Sequence, residues 1–167
     1  MSDRDPHAQA KELAGVLRGA RSVLITTHAK PDGDAFGCVL ALAWTLRGMG
    51  KKVRAIVVPP VPEPFGQIAG ASLVERFVAG MTIEPVDVAV VLDTAAWTQV
   101  EPMRPVLEGM GDRLMVVDHH LSGDMPAKWR WVDAEAGACA ELVAEIVAAL
   151  AGEKVGIETA EGLYVGI

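Results

Sequence analysis

The sequence has few aromatic residues, few cysteines and a shortage of positive charge. Aromatic side chains make up 5% of the 167 residues, which argues against a surface for stacking a long single strand of nucleic acid. The formal net charge is −7 and no basic stripe is present, so binding of long duplex DNA is disfavoured. Cys38 and Cys139 are too few for a disulfide framework and fit a reducing, cytoplasmic environment.

Long apolar stretches are missing as well. No run approaches the roughly 20 apolar residues of a membrane-spanning helix, so no membrane partner is expected. The first 15 residues are polar and predict a helix rather than the apolar core of a signal peptide. Hydrophobic residues nevertheless make up 51% of the chain, which is sufficient for the core of one domain over residues 1–167.

Short apolar runs alternate with helical patterns along the chain. Runs typical of buried strands occupy 21–28, 52–58, 86–95 and 113–122. Helical patterns occupy 34–52, where two glycines form a stop signal, and 102–111, and residues 128–153 predict a short strand followed by an alanine-rich helix. Segment 59–67 is rich in proline and predicts a stiff connection. This alternation predicts an α/β fold with a mostly parallel sheet flanked by helices on both faces.

Acidic and histidine residues lie at or just beyond the carboxyl ends of three of the predicted strands. The residues concerned are His28, Asp32 and Asp34 after the first strand, Asp93 in the third, and Asp118, His119 and His120 in the fourth. Because the carboxyl ends of parallel strands lie along one edge of a sheet, these side chains should converge there.

Several carboxylates in one place repel one another, and divalent cations are the usual compensation. Carboxylate oxygens with a few imidazoles suit Mn²⁺ or Mg²⁺ better than a thiolate-rich zinc or iron–sulfur site. Two ions about 3.5–4 Å apart, bridged by a shared carboxylate, are a recurring device for hydrolysing phosphate esters. The pattern therefore predicts a two-metal phosphoesterase site.

Each element taken alone has a structural alternative. Asp34 could cap the helix that begins beside it, since Asp-Gly-Asp is also a turn sequence. A single histidine such as His28 is more often packed than ligating, and Asp93 could cap the loop after its strand. The common position of all three clusters at strand ends favours the metal site.

Three segments resemble the first three motifs of the DHH phosphoesterase superfamily. They are THAKPDGDAFG (27–37), VVLDTA (90–95) and VVDHH (116–120), and WVDAEAGACAELV (131–143) is similar to the segment that follows the triplet in that family. The spacing of the motifs and the proline-rich loop are similar to those of the branch of nanoRNases and 3′-phosphoadenosine-5′-phosphate phosphatases. This resemblance implies manganese-dependent hydrolysis of short RNA oligonucleotides or of the nucleotide bisphosphate.

The resemblance also implies a role for each motif residue. His28 and Asp32 would bind one ion, Asp34 and His119 the other, and Asp93 would bridge them. His120 would contact the scissile phosphate or assist protonation of the leaving oxygen, and Asp118 would orient neighbouring groups.

Two positions depart from the family pattern inside the first motif. Cys38 stands where serine is common, and Phe36 stands where a smaller aliphatic residue is common. We interpret both as packing variation, since neither is a required ligand.

The last residues, ETAEGLYVGI, are apolar and lack a stop signal. In the family a similar stretch leads into a fourth motif, whose aspartate completes the second metal site, and then into a smaller substrate-binding domain. We therefore expect residues 1–167 to form the DHH catalytic domain of a longer protein, which could be a homodimer, rather than a natural half-protein. Without the fourth motif, the chain alone should bind metal weakly at Asp34 and His119. Without the second domain, it should lack the groups that bind the substrate phosphate.

Other functions stay open at this point. The same metal cluster serves family II inorganic pyrophosphatases and cyclic-dinucleotide phosphodiesterases. A non-catalytic metal- or nucleotide-binding module is the alternative outside the hydrolases, and it is weakened because all five candidate ligands are present.

Overall fold

The computed structural model describes residues 6–152 and 154–167, and its centre is a six-stranded sheet whose neighbouring strands are all parallel. The strands are β1 (Ser22–Thr27), β2 (Lys52–Val57), β3 (Val74–Arg76), β4 (Val88–Leu92), β5 (Leu114–Asp118) and β6 (Trp129–Val132). Their spatial order is β3-β2-β1-β4-β5-β6. The order reverses between β1 and β4, and a crevice for ligands opens at such a switch point.

In the described residues, five α-helices pack around the sheet. They are α1 (Pro6–Gly19), α2 (Gly33–Gly48), α3 (Arg104–Glu108), α4 (Cys139–Ala151) and α5 (Ile157–Gly166). The helix predicted at the start of the chain is present as α1, and residues 1–5 of that prediction lie outside the described residues. None of the described helices combines the length and the apolar character needed to cross a bilayer.

The two faces of the sheet are covered differently. Val23 and Ile25 of β1 pack in the larger apolar cluster with α1, α2 and α4. Leu24, which points the other way, packs with residues of α3 and of the short helical turns that precede it. Because both faces are covered, β1 is buried almost throughout, and its central residues Val23, Leu24 and Ile25 are apolar in succession. The predicted α/β class with helices on both faces is confirmed.

Two elements escaped prediction. Strand β3 has only three residues and pairs at the edge of the sheet, so it is too short to show a period. Helix α5 buries small residues instead of large ones: a Cβ on Gly162 would lie 2.8 Å from the backbone nitrogen of Ala41 in α2. The glycine therefore permits a close approach of the two helix backbones, which no large apolar stripe announces.

The proline-rich connection after β2 and the residues that follow it pack against α2 and form hydrogen bonds with α2 and α5. The ring of Phe65 stacks on Phe36 of α2 with a centroid separation of 5.1 Å. The indole nitrogen of Trp44 donates to the carbonyl of Gly70, and the Glu161 carboxylate accepts from the amide of Ala69. The aromatic residue in place of a small aliphatic one at position 36 thus has a stacking partner in this segment.

Candidate metal centre

The predicted site residues lie together at the switch point of the sheet. Thr27 and Leu92 are register partners at the ends of β1 and β4, so His28 and Asp93 come next to each other just beyond them. Leu92 is likewise paired with Val117 of β5, which brings the Asp-His-His triplet to the same edge. Parallel pairing alone therefore assembles residues that are far apart in sequence.

Asp93 is at the middle of the cluster. Its Oδ2 lies 3.4 Å from Nε2 of His28, and its Oδ1 lies 3.4 Å from Nε2 of His119. The side chain is only 2% exposed, and Oδ1 has no hydrogen-bond partner among the described residues. A buried carboxylate oxygen without a donor is costly, and a bound cation would offset that cost.

The backbone at the centre is also unusual. Within the described part of the chain, Lys30 and Asp93 are the non-glycine residues with positive φ, at 55° and 59°. Both lie in loops that carry candidate ligands. Left-handed backbone conformations of this kind cost about 1–3 kcal/mol and cluster at functional sites.

One half of the centre consists of His28, Asp32 and Asp93, whose candidate ligand atoms all lie within 4.8 Å of one another. The His28 ring is within hydrogen-bond distance of the Ala29 carbonyl through Nδ1, at 3.0 Å. A donated Nδ1–H leaves Nε2 free to face Asp93, and metal-binding histidines are usually fixed by such a bond to a carbonyl.

Asp32 has a second function in the fold. Its Oδ1 lies 3.9 Å from Nε2 of His28 and also accepts the backbone amide of Ala35 at 3.0 Å, so Asp32 is the N-cap of α2. The alternative that Asp34 caps this helix is wrong, because α2 already begins at Gly33 and Asp34 lies inside its first turn.

The other half of the centre contains His119. Its Nδ1 lies 3.3 Å from the Ala136 carbonyl, and its Nε2 faces both Asp93 and Oδ2 of Asp34, the latter at 3.6 Å. His120 and Asp93 also have ligand atoms within 4.8 Å of His119. Asp34 stands outside that triplet of mutually close atoms, although it is adjacent to His119.

Asp118 and His120 form a hydrogen-bonded pair beside this centre. Oδ1 of Asp118 lies 2.8 Å from Nδ1 of His120 and accepts the backbone amide of the same residue at 3.1 Å. Asp118 is fully buried, whereas His120 is exposed to solvent. The hydrogen bond that Asp118 accepts from the imidazole raises the pKa of His120. The contacts agree with an orienting role for Asp118, and that role stays a prediction.

The electrostatics favour a cation at Asp93. The hydrogen bond with Asp93 raises the pKa of His28. Burial raises the pKa of Asp93 in spite of that bond, and the charges of Asp34 and Asp32 act in the same direction as burial. Imidazole nitrogens and carboxylate oxygens around a buried, partly unpartnered acid are a donor set that suits Mn²⁺ or Mg²⁺.

A cavity of about 250 Å³ opens at the first half of the centre. Its lining residues are His28, Asp32, Asp93, Thr94, Ala96, Gln99, His120 and Ser122. None of these lining residues is a lysine or an arginine. Thr94, Gln99 and Ser122 were not predicted, and their nearness to Asp93 and His120 along the chain was the available signal.

Solved structures share this fold. An exopolyphosphatase-related protein from Bacteroides fragilis superposes with a TM-score of 0.84 at 22% identity, covering 99% of this chain and 50% of its own. The exonuclease RecJ, solved with manganese, superposes with a TM-score of 0.56 at 20% identity and covers 98% of this chain and 42% of its own. At these identities the likeness concerns the fold.

Two curated relatives are more similar in sequence. The bifunctional oligoribonuclease and PAP phosphatase NrnA of Bacillus subtilis is 30% identical over 160 residues, which are 93% of this chain and 48% of the relative. The protein of the same name from Thermus thermophilus is 29% identical over 138 residues, 81% of this chain and 39% of the relative. The chain thus spans less than half the length of either relative.

The sequence pattern of the DHH family, N-terminal domain, matches residues 22–167, which include every candidate ligand described above. The chain therefore belongs to the DHH family.

Proposed function

We propose that this chain is the catalytic, metal-binding part of a manganese-dependent phosphoesterase. Its substrates would be short oligoribonucleotides, 3′-phosphoadenosine 5′-phosphate, or both, as the names of the NrnA relatives indicate. The observation that carries the proposal is the position of Asp93, whose two oxygens each face a different histidine at 3.4 Å. A carboxylate placed in this way can bridge two cations.

In this proposal His28 and Asp32 hold one ion, and Asp34 and His119 hold the other. When bound, such a pair of cations supplies Lewis-acid stabilisation of charge on the phosphoryl oxygens. We favour Mn²⁺, the ion in the RecJ structure of the same fold, and Mg²⁺ is the alternative for the same donor set. The absence of lysine and arginine from the cavity lining supports this reading, because without cations only the histidines His28 and His120 would offset the carboxylates that an anionic substrate meets there.

The protein's own residues would carry the remaining tasks. His120, held through Nδ1 by Asp118, keeps Nε2 free to contact the scissile phosphate or to protonate the leaving oxygen. The side chains of Gln99 and Ser122 line the same cavity and would donate hydrogen bonds to the substrate. Gln99 and Ser122 are neutral and would orient the substrate, whereas a protonated His120 would also place a positive charge near the leaving oxygen until it transfers its proton.

The relatives are about twice as long, which bears on the proposed domain organisation. We propose that residues 1–167 form the catalytic domain and that a further domain supplies the substrate grip and the fourth motif. A cytoplasmic location and a homodimer of the intact protein belong to the same proposal. The free, buried cysteines are compatible with the cytoplasm.

The proposal is tested by single-turnover hydrolysis with the chain in excess over a 5′-labelled RNA dinucleotide, so that weak substrate binding does not hide the chemistry. The same assay is run with 3′-phosphoadenosine 5′-phosphate and with pyrophosphate, in Mn²⁺, for the wild type and Asp93→Asn. We expect cleavage of one of the two nucleotide substrates, and loss of that cleavage in the variant. Cleavage of pyrophosphate alone would favour a pyrophosphatase. Manganese binding without any cleavage, both by this chain and by a chain that includes the proposed further domain, would favour a non-catalytic module.

A further inference from the structure

Helix α4 begins without a cap of its own. The residue at its N-cap position is Ala138, which has no side-chain oxygen to accept the free amides of the first turn. Those amides instead reach Asp34 of α2: the amide of Cys139 donates to Oδ2 at 2.7 Å, and that of Ala140 donates to Oδ1 at 2.8 Å. Asp34 therefore caps α4 from a neighbouring helix.

A third donor reaches the same carboxylate. The thiol of Cys38, one turn further along α2, lies 3.3 Å from Oδ1 of Asp34. Both Asp34 oxygens act as acceptors, so the thiol donates in this contact. Cys38 is fully buried, and no solvent competes for the bond.

The two oxygens of Asp34 differ in the number of hydrogen bonds that they accept. An ionised carboxylate offers about four lone-pair positions, two on each oxygen. Oδ1 uses both of its positions, for Ala140 and Cys38, whereas Oδ2 uses one for Cys139. Oδ2 therefore keeps a lone pair without a donor, and it is the oxygen that lies 3.6 Å from Nε2 of His119.

We propose that Cys38 is a positioning residue of the metal centre: with the first two amides of α4, its thiol fixes Asp34 so that Oδ2 is the oxygen presented to a cation beside His119. The inference rests on the proposed two-metal function. It assigns a task to the position where this chain has cysteine instead of the serine common in the family, since both side chains can donate one hydrogen bond. Removal of the thiol would free a lone pair on Oδ1 and let the carboxylate turn away from His119.

Cys139 provides a matched control. It is also a fully buried cysteine, and its thiol contacts the Val117 carbonyl at 3.4 Å and the thiol of Cys38, whereas only its backbone amide contacts Asp34. Cys139→Ala therefore removes a buried sulfur of the same size, together with the contact between the two thiols, and leaves all three donors to Asp34 in place. Cys38→Ser keeps a donor at the critical position, whereas Cys38→Ala removes it.

The experiment is calorimetric titration of the wild type and these three variants with Mn²⁺, with thermal unfolding recorded for each. For Cys38→Ala we expect one of two ions to bind about 10-fold more weakly and the other to be unchanged, the usual size of effect when a group that orients a ligand is lost. Cys38→Ser should restore the affinity to within about 3-fold of the wild type, and Cys139→Ala should bind manganese normally.

Two results would overturn the inference while the proposed metal centre stands. One is two-ion binding by Cys38→Ala with wild-type affinities, and the other is an equal loss of affinity in Cys139→Ala, which would indicate packing instead of positioning. A wild type that binds no manganese would instead refute the metal centre, and the inference with it.

Discussion

The close contact between α5 and α2 allows a sharp stability prediction, Gly162→Ala. The added Cβ would lie 2.8 Å from the Ala41 nitrogen, 2.9 Å from the Gly37 oxygen and 3.2 Å from the Ala41 Cα, all of them backbone atoms of α2. An ordinary contact begins at 3.4 Å, so α5 has to move away by about 0.6 Å, the difference between 3.4 and 2.8 Å. Such overpacking costs about 2–3 kcal/mol, because backbone cannot rotate aside as a side chain can.

Alanine recovers about 1 kcal/mol of this cost through its higher helix propensity. The net loss of unfolding free energy should be about 1–2 kcal/mol, which lowers Tm by about 2–8 °C in a chain of this length. The matched control is Gly15→Ala in α1, where a Cβ meets nothing within 4 Å. The unfolding free energy of the Gly15→Ala variant should rise by about 0.5–1 kcal/mol from helix propensity alone.

Thermal and urea unfolding of the two variants beside the wild type decide the matter, since the same substitution should shift stability in opposite directions. A Gly162→Ala protein as stable as Gly15→Ala would show that α5 does not pack against α2 as described. Loss of stability in both variants would contradict the contact argument as well, because Gly15 has no neighbour to displace.

Three further predictions follow from individual contacts. Asp93→Ala should abolish most Mn²⁺ binding in calorimetry while Asp118→Ala keeps it, and indistinguishable titrations would refute the bridging role. Phe65→Ala should lower stability by about 1–2 kcal/mol, since it removes a ring stacked at 5.1 Å on a buried partner, and an unchanged Tm would contradict that packing. Backbone hydrogen bonds from the start of β1 lower the pKa of Asp87, so its stabilising effect is present above the unfolded-state pKa and is lost as pH falls below about 4. Asp87→Ala should therefore flatten the acid limb of the stability profile, and a profile identical to that of the wild type would count against this linkage.

The strands were predictable because their environment is simple. A strand covered on both faces favours apolar residues on both sides, so the run Val88–Leu92 of β4 and the three apolar residues in the middle of β1 stand out without any period. Helix α5 lacked such a signal because its packing depends on Gly162 and on the absence of side chains. Its partner lies more than a hundred residues earlier in the sequence, so local composition could not reveal the contact.

How much of the candidate site could be predicted from the sequence differs from residue to residue. Strand order brings Asp93 and the histidines together, and the motifs were sufficient to name them. The surroundings of Asp34 were not predictable, since they depend on an amide of Cys139 that is 105 positions away. A helix start without a capping residue, as at Ala138, was the only hint that a side chain from elsewhere completes it.

The same contacts explain how the chain tolerates so many carboxylates before a cation binds. Asp32 accepts an amide at the start of α2, and Asp34 accepts two at the start of α4, where each helix presents about half a positive charge. Asp118 is held by the amide and ring of His120. Asp93, which has no helix terminus, keeps Oδ1 without a donor among the described residues, and Asp118 likewise keeps Oδ2 without one. Of these two acids, Asp93 is the one whose two oxygens face two different histidines, His28 and His119, each at 3.4 Å. We therefore expect replacement of Asp93, more than that of Asp118, to determine whether cations bind.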